Sequence, residues 1–202
     1  MRQASHNNTS HARLFLPTSG LRTGGMSQGD SVTMGEAEKS AVALHPHVDP
    51  VVVEMDLPGS LCNVWHALTT TDGAQAFLGC NVQIELCIGG PYEILFDASQ
   101  PAGKRGSETC AILSFLPQRI LSFTWNAPPQ FTHARDRHTW VIIELEPVTA
   151  NETSLRLTHL GWSEQISQHP DHREEWLAVR TYFANAWPRF FSALQRHLSD
   201  RN

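Results

Sequence analysis

Nowhere does this chain of 202 residues hold the roughly 18 consecutive apolar residues that a membrane helix needs. Its longest apolar runs, such as Val51 to Val53 and Val141 to Ile143, are strand-sized, so no membrane span is expected. Basic residues gather no further than pairs such as Lys104-Arg105, and the net charge is -5 with histidine neutral, which disfavours nucleic acid as a partner. The four cysteines, Cys62, Cys80, Cys87 and Cys110, form no CxxC pair, and no secretory apolar region precedes them. Neither a disulfide framework nor a zinc knuckle is indicated, and reduced thiols in a cytoplasm are the default. No G-x-S-x-G is present, no Cys or Ser has a base specified by the sequence, and Gly103 to Gly106 lacks the Lys-Ser/Thr of a phosphate loop. The reading therefore names no catalytic residue, metal ligand or cofactor.

What is present suits one globular domain with a tail. Hydrophobic residues make up 41% and charged residues 17%, an ordinary mix that supports a real core. Residues 1 to 46 are rich in Ser, Thr, Gly, Asn, Gln and His and lack apolar periodicity, so disorder is expected there. Met26 and Met34 are alternative starts within it. The remaining chain, 47 to 200, is expected to be the domain. It is the acidic part: 11 basic and 17 acidic residues follow Val48, against 4 and 3 before it.

Alternation of Val51, Val53 and Met55 with Val52, Glu54 and Asp56 predicts a first strand. Pro58-Gly59 ends it, and Ser60 is placed to cap a helix carrying Leu61, Val64, Trp65 and Leu68. A second short helix, capped by Asp72, runs to Leu78. Six strands are then expected, at 82–86, 92–97, 108–115, 120–126, 139–147 and 154–161, with short Gly-, Pro- and Asn-containing connectors that imply antiparallel meanders. From about Asp171 to Leu198 the residues Trp176, Val179, Arg180, Phe183, Trp187, Phe190, Phe191 and Leu194 recur at threes and fours, one long helix with an aromatic stripe. Asp171 is read as its cap, and Pro188 is expected to interrupt and kink it.

This order resembles the helix-grip fold of the START-like, or SRPBCC, superfamily. Leu61-Cys62-Asn63-Val64-Trp65-His66-Ala67-Leu68-Thr69, Ile88-Gly89-Gly90-Pro91-Tyr92, the stretch Pro117 to Trp125, and Glu144 to Pro147 with Thr153 to Gly161 are similar to motifs of its branch homologous to the activator of the heat-shock-protein-90 ATPase. Ala76-Phe77 stands where that branch has a Trp-Phe pair, and Ala186-Trp187 where it has Gly-Trp. The resemblance implies an α+β fold: a curved seven-stranded antiparallel sheet around the long C-terminal helix, with two short helices after the first strand. Between sheet and helix the family has either packed side chains or a cavity for a small molecule.

Alternation then selects the inward rows. Leu121, Phe123 and Trp125 share one face; Tyr92, Ile94 and Phe96, then Val141, Ile143 and Leu145, then Leu155, Leu157 and His159 form the others, facing Trp176, Phe183 and Trp187 on the helix. The candidate ligand-binding set is Phe77, Tyr92, Ile94, Phe96, Phe123, Trp125, Val141, Ile143, Leu157, His159, Arg180, Phe183 and Trp187. Any one of these aromatics is better explained as plain core, and it is chiefly the family's habit that turns the group toward a pocket. His159 is either a ligand contact at a cavity mouth or a structural histidine; Arg180 either pairs with a ligand carboxylate or lies along the helix flank. His169-Pro170-Asp171-His172 has metal-ligand residue types without metal spacing, and His133 to His138 reads as a solvated loop. Three functions follow: binding or sequestering a hydrophobic or aromatic small molecule; a cyclase or hydrolase of polyketide-like substrates using His159, Asp56 or Glu93; or a co-chaperone-like interaction module with a chaperone or a second copy as partner. The first is preferred.

Overall fold

The computed structural model describes residues 47–201, so the expected disorder over 1–46 lies outside the described residues. The elements are β1 (Val51–Leu57), α1 (Leu61–Thr69), α2 (Thr71–Leu78), β2 (Asn81–Ile84), β3 (Tyr92–Leu95), β4 (Ile112–Leu116), β5 (Ile120–Asn126), β6 (His138–Thr149), β7 (Glu152–Leu160), α3 (Trp162–Gln168), a 3-10 turn (Pro170–His172) and α4 (Arg173–Ser199).

Seven strands form, but not one seven-stranded sheet. The order β1-β7-β6-β5-β4 makes a five-stranded antiparallel sheet, and β2 pairs with β3 alone. The expected strand from Glu108 begins only at Ile112, because Thr109 takes a left-handed φ of 68° and breaks the ladder. Across the break, Tyr92 N–H still donates to the Cys110 carbonyl at 2.8 Å and Ile112 N–H to Gly90 at 2.9 Å. The two sheets thus follow one curved wall with an irregular seam.

Inward rows run across the large sheet. Trp125 sits opposite Thr139; Phe123, Val141, His159 and Val51 form the next row, and Leu121, Ile143, Leu157 and Val53 the one after. All but half-buried Val53 are at most 4% exposed. Against them α4 buries Trp176, Val179, Phe183, Trp187, Phe191, Leu194 and Leu198, a stripe at spacings of three and four.

Several local expectations are corrected. Ser60 does cap α1, accepting from Asn63 N–H at 3.3 Å, but Thr70 rather than Asp72 caps α2, accepting from Gly73 N–H at 3.1 Å. Asp171 lies in the 3-10 turn, so α4 starts at Arg173 after His172, without a side-chain cap. Helix α3, unforeseen, follows β7 directly. Pro188 lies inside an unbroken α4 on its exposed side, where the missing N–H faces no buried partner. The segment from His133 is a packed turn: Ala134 is fully buried, and Glu175 accepts from the His133 and Ala134 N–H groups.

Gly161 turns β7 into α3 with φ 103°, and a Cβ there would meet the Trp140 ring at 2.9 Å. Gly79, which ends α2 at φ 67°, has open space around its Cβ position. Gly79→Ala should therefore cost about 1–2 kcal/mol from the left-handed backbone alone, and Gly161→Ala distinctly more. Equal losses in urea denaturation would show that the Trp140 contact does not confine this turn.

Candidate functional site

His159 comes from β7 and points into the molecule, fully buried, with the rings of Trp162, Phe183 and Trp187 centred 4.5, 4.9 and 5.8 Å away. The Trp187 indole N–H donates to its Nδ1 at 3.0 Å. Nδ1 is then the acceptor, so Nε2 carries the proton and donates to Thr139 Oγ1 at 2.7 Å. Thr139 in turn donates to the Trp125 carbonyl at 3.0 Å. This directed chain leaves the imidazole no free nitrogen. Burial pushes its pKa down to about 3. His159 is therefore a neutral structural link between sheet and helix, not a group at a cavity mouth.

In front of this link lies an open groove of about 820 Å³ between one end of the sheet and α4. Its helix side is built from Tyr182, Phe183, Asn185, Ala186, Trp187, Arg189, Phe190 and Ala193. Its sheet side is Trp125 with the following turn, Asn126 to Gln130, and its third side is the segment from Phe96 to Ser107. Of the sequence-derived candidates, Phe96, Trp125, Phe183 and Trp187 line it. Trp125 and Trp187 stand 5.2 Å apart, and Trp187 meets Phe190 edge-on at 5.6 Å. Trp125 and Trp187 are nearly closed at 4% and 3% exposure, so the open ring surface of the lining is that of Phe96, Tyr182 and half-buried Phe190.

The other candidates are placed elsewhere. Tyr92, Ile94, Phe123, Val141, Ile143 and Leu157 are closed in the core at 2% exposure or less. Tyr92 stacks on Phe123 at 4.1 Å and donates its hydroxyl to the Leu68 carbonyl at 3.0 Å. Phe77 packs edge-on against Phe190 at 5.3 Å, outside the lining. Arg180 donates to the Asp49 carbonyl at 2.7 Å and clamps the approach to β1 onto α4, so it is not a groove cation. Asp56 is exposed, and Glu93 accepts from Thr109 N–H at 2.7 Å; neither lines the groove.

Of the third wall sequence reasoning named only Phe96, because the other residues lie in an irregular loop. Glu108 organises it. Burial alone would raise this carboxyl, but the N–H groups of Gly103 and Arg105 and the Arg105 guanidinium hold it below the usual range. Arg135 crosses from the other side, donating to the carbonyls of Gly103, Gly106 and Ala127. A Cβ on Gly106 would fall 1.8 Å from the Ile94 carbonyl, so glycine alone lets this wall press onto β3. The only signals in the sequence were the Lys104-Arg105 pair between glycines and Pro128-Pro129 after Trp125.

A family model described as Activator of Hsp90 ATPase homolog 1-like protein matches residues 60–199. No curated protein matches the chain. Among solved structures, a Bacillus halodurans protein is similar at 18% identity with a TM-score of 0.53, covering 75% of this chain and 97% of its own. A Mesorhizobium loti protein is similar at 23% identity and a TM-score of 0.51, covering 76% and 98%. One from Nitrosomonas europaea is similar at 15% identity and 0.51, covering 76% and 96%. At these identities the likeness concerns the fold, a helix-grip arrangement.

His159 carries a pH signature. Below its ordinary value of 6.5 the unfolded chain takes up a proton that the folded chain refuses until about 3. Stability from this group is intact above 6.5 and falls as pH drops through that window, by up to roughly tenfold in the folding constant per pH unit. His159→Gln, which keeps an acceptor and a donor, should give a shallower loss of urea midpoint between pH 6.5 and 3. Superimposable slopes for both proteins would refute the buried neutral imidazole.

Proposed function

This chain belongs to the family of activator of Hsp90 ATPase homolog 1-like proteins, and on that premise we propose that it binds and sequesters a hydrophobic or aromatic small molecule in the groove against α4. The observation that carries this reading is the groove itself. Its volume of about 820 Å³ lies within the range of small-molecule sites, and its walls combine two indoles and three phenyl rings with a few polar groups. The Ser107 hydroxyl is spent on the Ile94 N–H and the Tyr92 carbonyl, so Asn126 and Asn185 are the side-chain amides of the lining that would orient a guest.

The cyclase or hydrolase reading needs an acid or base that reaches the guest near neutral pH. His159 lies behind Trp187 with both nitrogens engaged, and burial drives it to the neutral form. Tyr92 and Cys110 are likewise pushed up by burial. This distribution favours holding a molecule over transforming it. The co-chaperone reading, with a chaperone or a second copy as partner, draws on the family's description. It would use the outer face, where Val52 on β1 and Leu113 and Leu116 on β4 are exposed at opposite edges of the sheet. These side chains are spread apart, whereas the groove concentrates its aromatic surface in one place.

Ala186 lies half-buried in the groove wall next to Trp187. Ala186→Trp should fill the space and weaken binding of a neutral aromatic probe such as 2-naphthylmethanol by at least roughly tenfold, about the worth of one well-packed aromatic contact. Titration of intrinsic tryptophan fluorescence would measure it, with far-ultraviolet circular dichroism as the folding control. Unchanged affinity in the folded variant, or no saturable binding to the unmodified protein, would refute the groove as a ligand site.

A further inference from the structure

The groove differs in charge from the chain that forms it. The protein carries a net -5, yet the lining holds Lys104, Arg105, Arg135 and Arg189 against the single carboxylate of Asp97. Two of these cations are already committed. Arg105 pairs with Glu108 at 2.8 Å, and Arg135 directs its guanidinium at three backbone carbonyls, 3.6 Å from the same carboxylate. Asp97 is engaged too: the Ser99 hydroxyl, the Gln100 amide and the Ser99 N–H hold it ionised. Among the described residues, the side chains of Lys104 and Arg189 have no hydrogen-bond or ion-pair partner. One stands on the loop wall and the other on the helix wall of the same groove.

We propose that the groove selects an amphipathic anion: a flat aromatic body seated against the exposed rings of Phe96 and Tyr182 and half-buried Phe190, with a carboxylate taken up by Lys104 and Arg189. This rests on the small-molecule reading and adds the charge of the guest. The aromatic walls supply affinity that is blind to charge, while the two unpartnered cations at the rim discriminate between an acid and its neutral analogue. Arg180, which the sequence offered for this role, is bound to the carbonyls of Asp49 and Pro50. The anion site therefore belongs to the loop wall and to the turn of α4 that carries Arg189.

The test compares 2-naphthoate with 2-naphthylmethanol on the full chain at neutral pH and low salt, by isothermal titration calorimetry. The acid should bind roughly tenfold more tightly, the scale of two partly screened ion pairs, and added salt should narrow the gap. Lys104→Gln combined with Arg189→Gln should abolish the preference, bringing the ratio of the two affinities to about one. Arg119→Gln, an exposed cation outside the groove, should preserve the preference and so separate local pairing from net charge. Equal binding of acid and alcohol by the unmodified protein, or a preference that survives the double substitution, overturns the anion site while the groove reading stands. Failure of both probes to bind overturns both.

Discussion

Trp187 is buried against the sheet, and the way its indole N–H finds an acceptor sets the rest of the architecture. In the described residues that acceptor is the Nδ1 of His159, itself fixed by Thr139, which is fixed by the Trp125 carbonyl. Each donor has one acceptor, so the chain of bonds has a single direction. It ties the middle of α4 to β7, β6 and β5 across two adjacent rows of the sheet. Removing a single member would leave a buried polar atom unmatched, which costs more than the bond itself contributes. The level at which α4 crosses the sheet is therefore pinned by polar geometry, whereas the apolar stripe alone would tolerate sliding.

That anchoring also explains where the groove begins. On the side of α4 facing β1 and β7 the interior is closed by Val51, Leu155, Leu157, Phe191 and Leu194, all at most 4% exposed. On the other side, toward the turn after Trp125, β5 meets the helix through Trp125, whose ring stands 5.2 Å from that of Trp187. The wall there is the loop folded around Glu108, and a loop held by backbone carbonyls and one carboxylate does not reach in with large apolar side chains. Phe183 and Trp187 are closed off at 5% and 3% exposure, and on α4 it is Tyr182 and half-buried Phe190 that turn open ring surface to the groove.

The parts of this arrangement that repeat were legible in the sequence. Strand alternation placed the inward rows from Val51 to Leu157, the spacing of threes and fours placed α4, and Ser60 marked the start of α1. The motifs shared with the family gave their order. What escaped depends on contacts that no period encodes. Arg180 looked free beside the stripe, but its partners are the backbone carbonyls of Asp49 and Pro50, some 130 residues earlier. His159 shared a face with Leu155 and Leu157, as expected, but its two partners come from β6 and α4. The late start of β4 follows from the left-handed Thr109, a residue type that rarely adopts that conformation.

The distribution of charge completes the physical picture. A buried ionisable side chain must be neutral or paired, because a bare charge in the interior costs several kcal/mol. The interior follows the first route: His159 is held neutral, and the Tyr92 hydroxyl and Cys110 thiol are held protonated. The loop wall follows the second route, with Glu108 matched by Arg105 and Arg135. Only Lys104 and Arg189 among the cations of the groove stay outside either arrangement, on the two walls that face the unfilled aromatic surface. A flat molecule settling on Phe96, Tyr182 and Phe190 would displace water from beside those two charges. Desolvation of that kind raises the cost of leaving them unpaired, so a guest that carries its own negative charge gains at the rim what a neutral guest must lose.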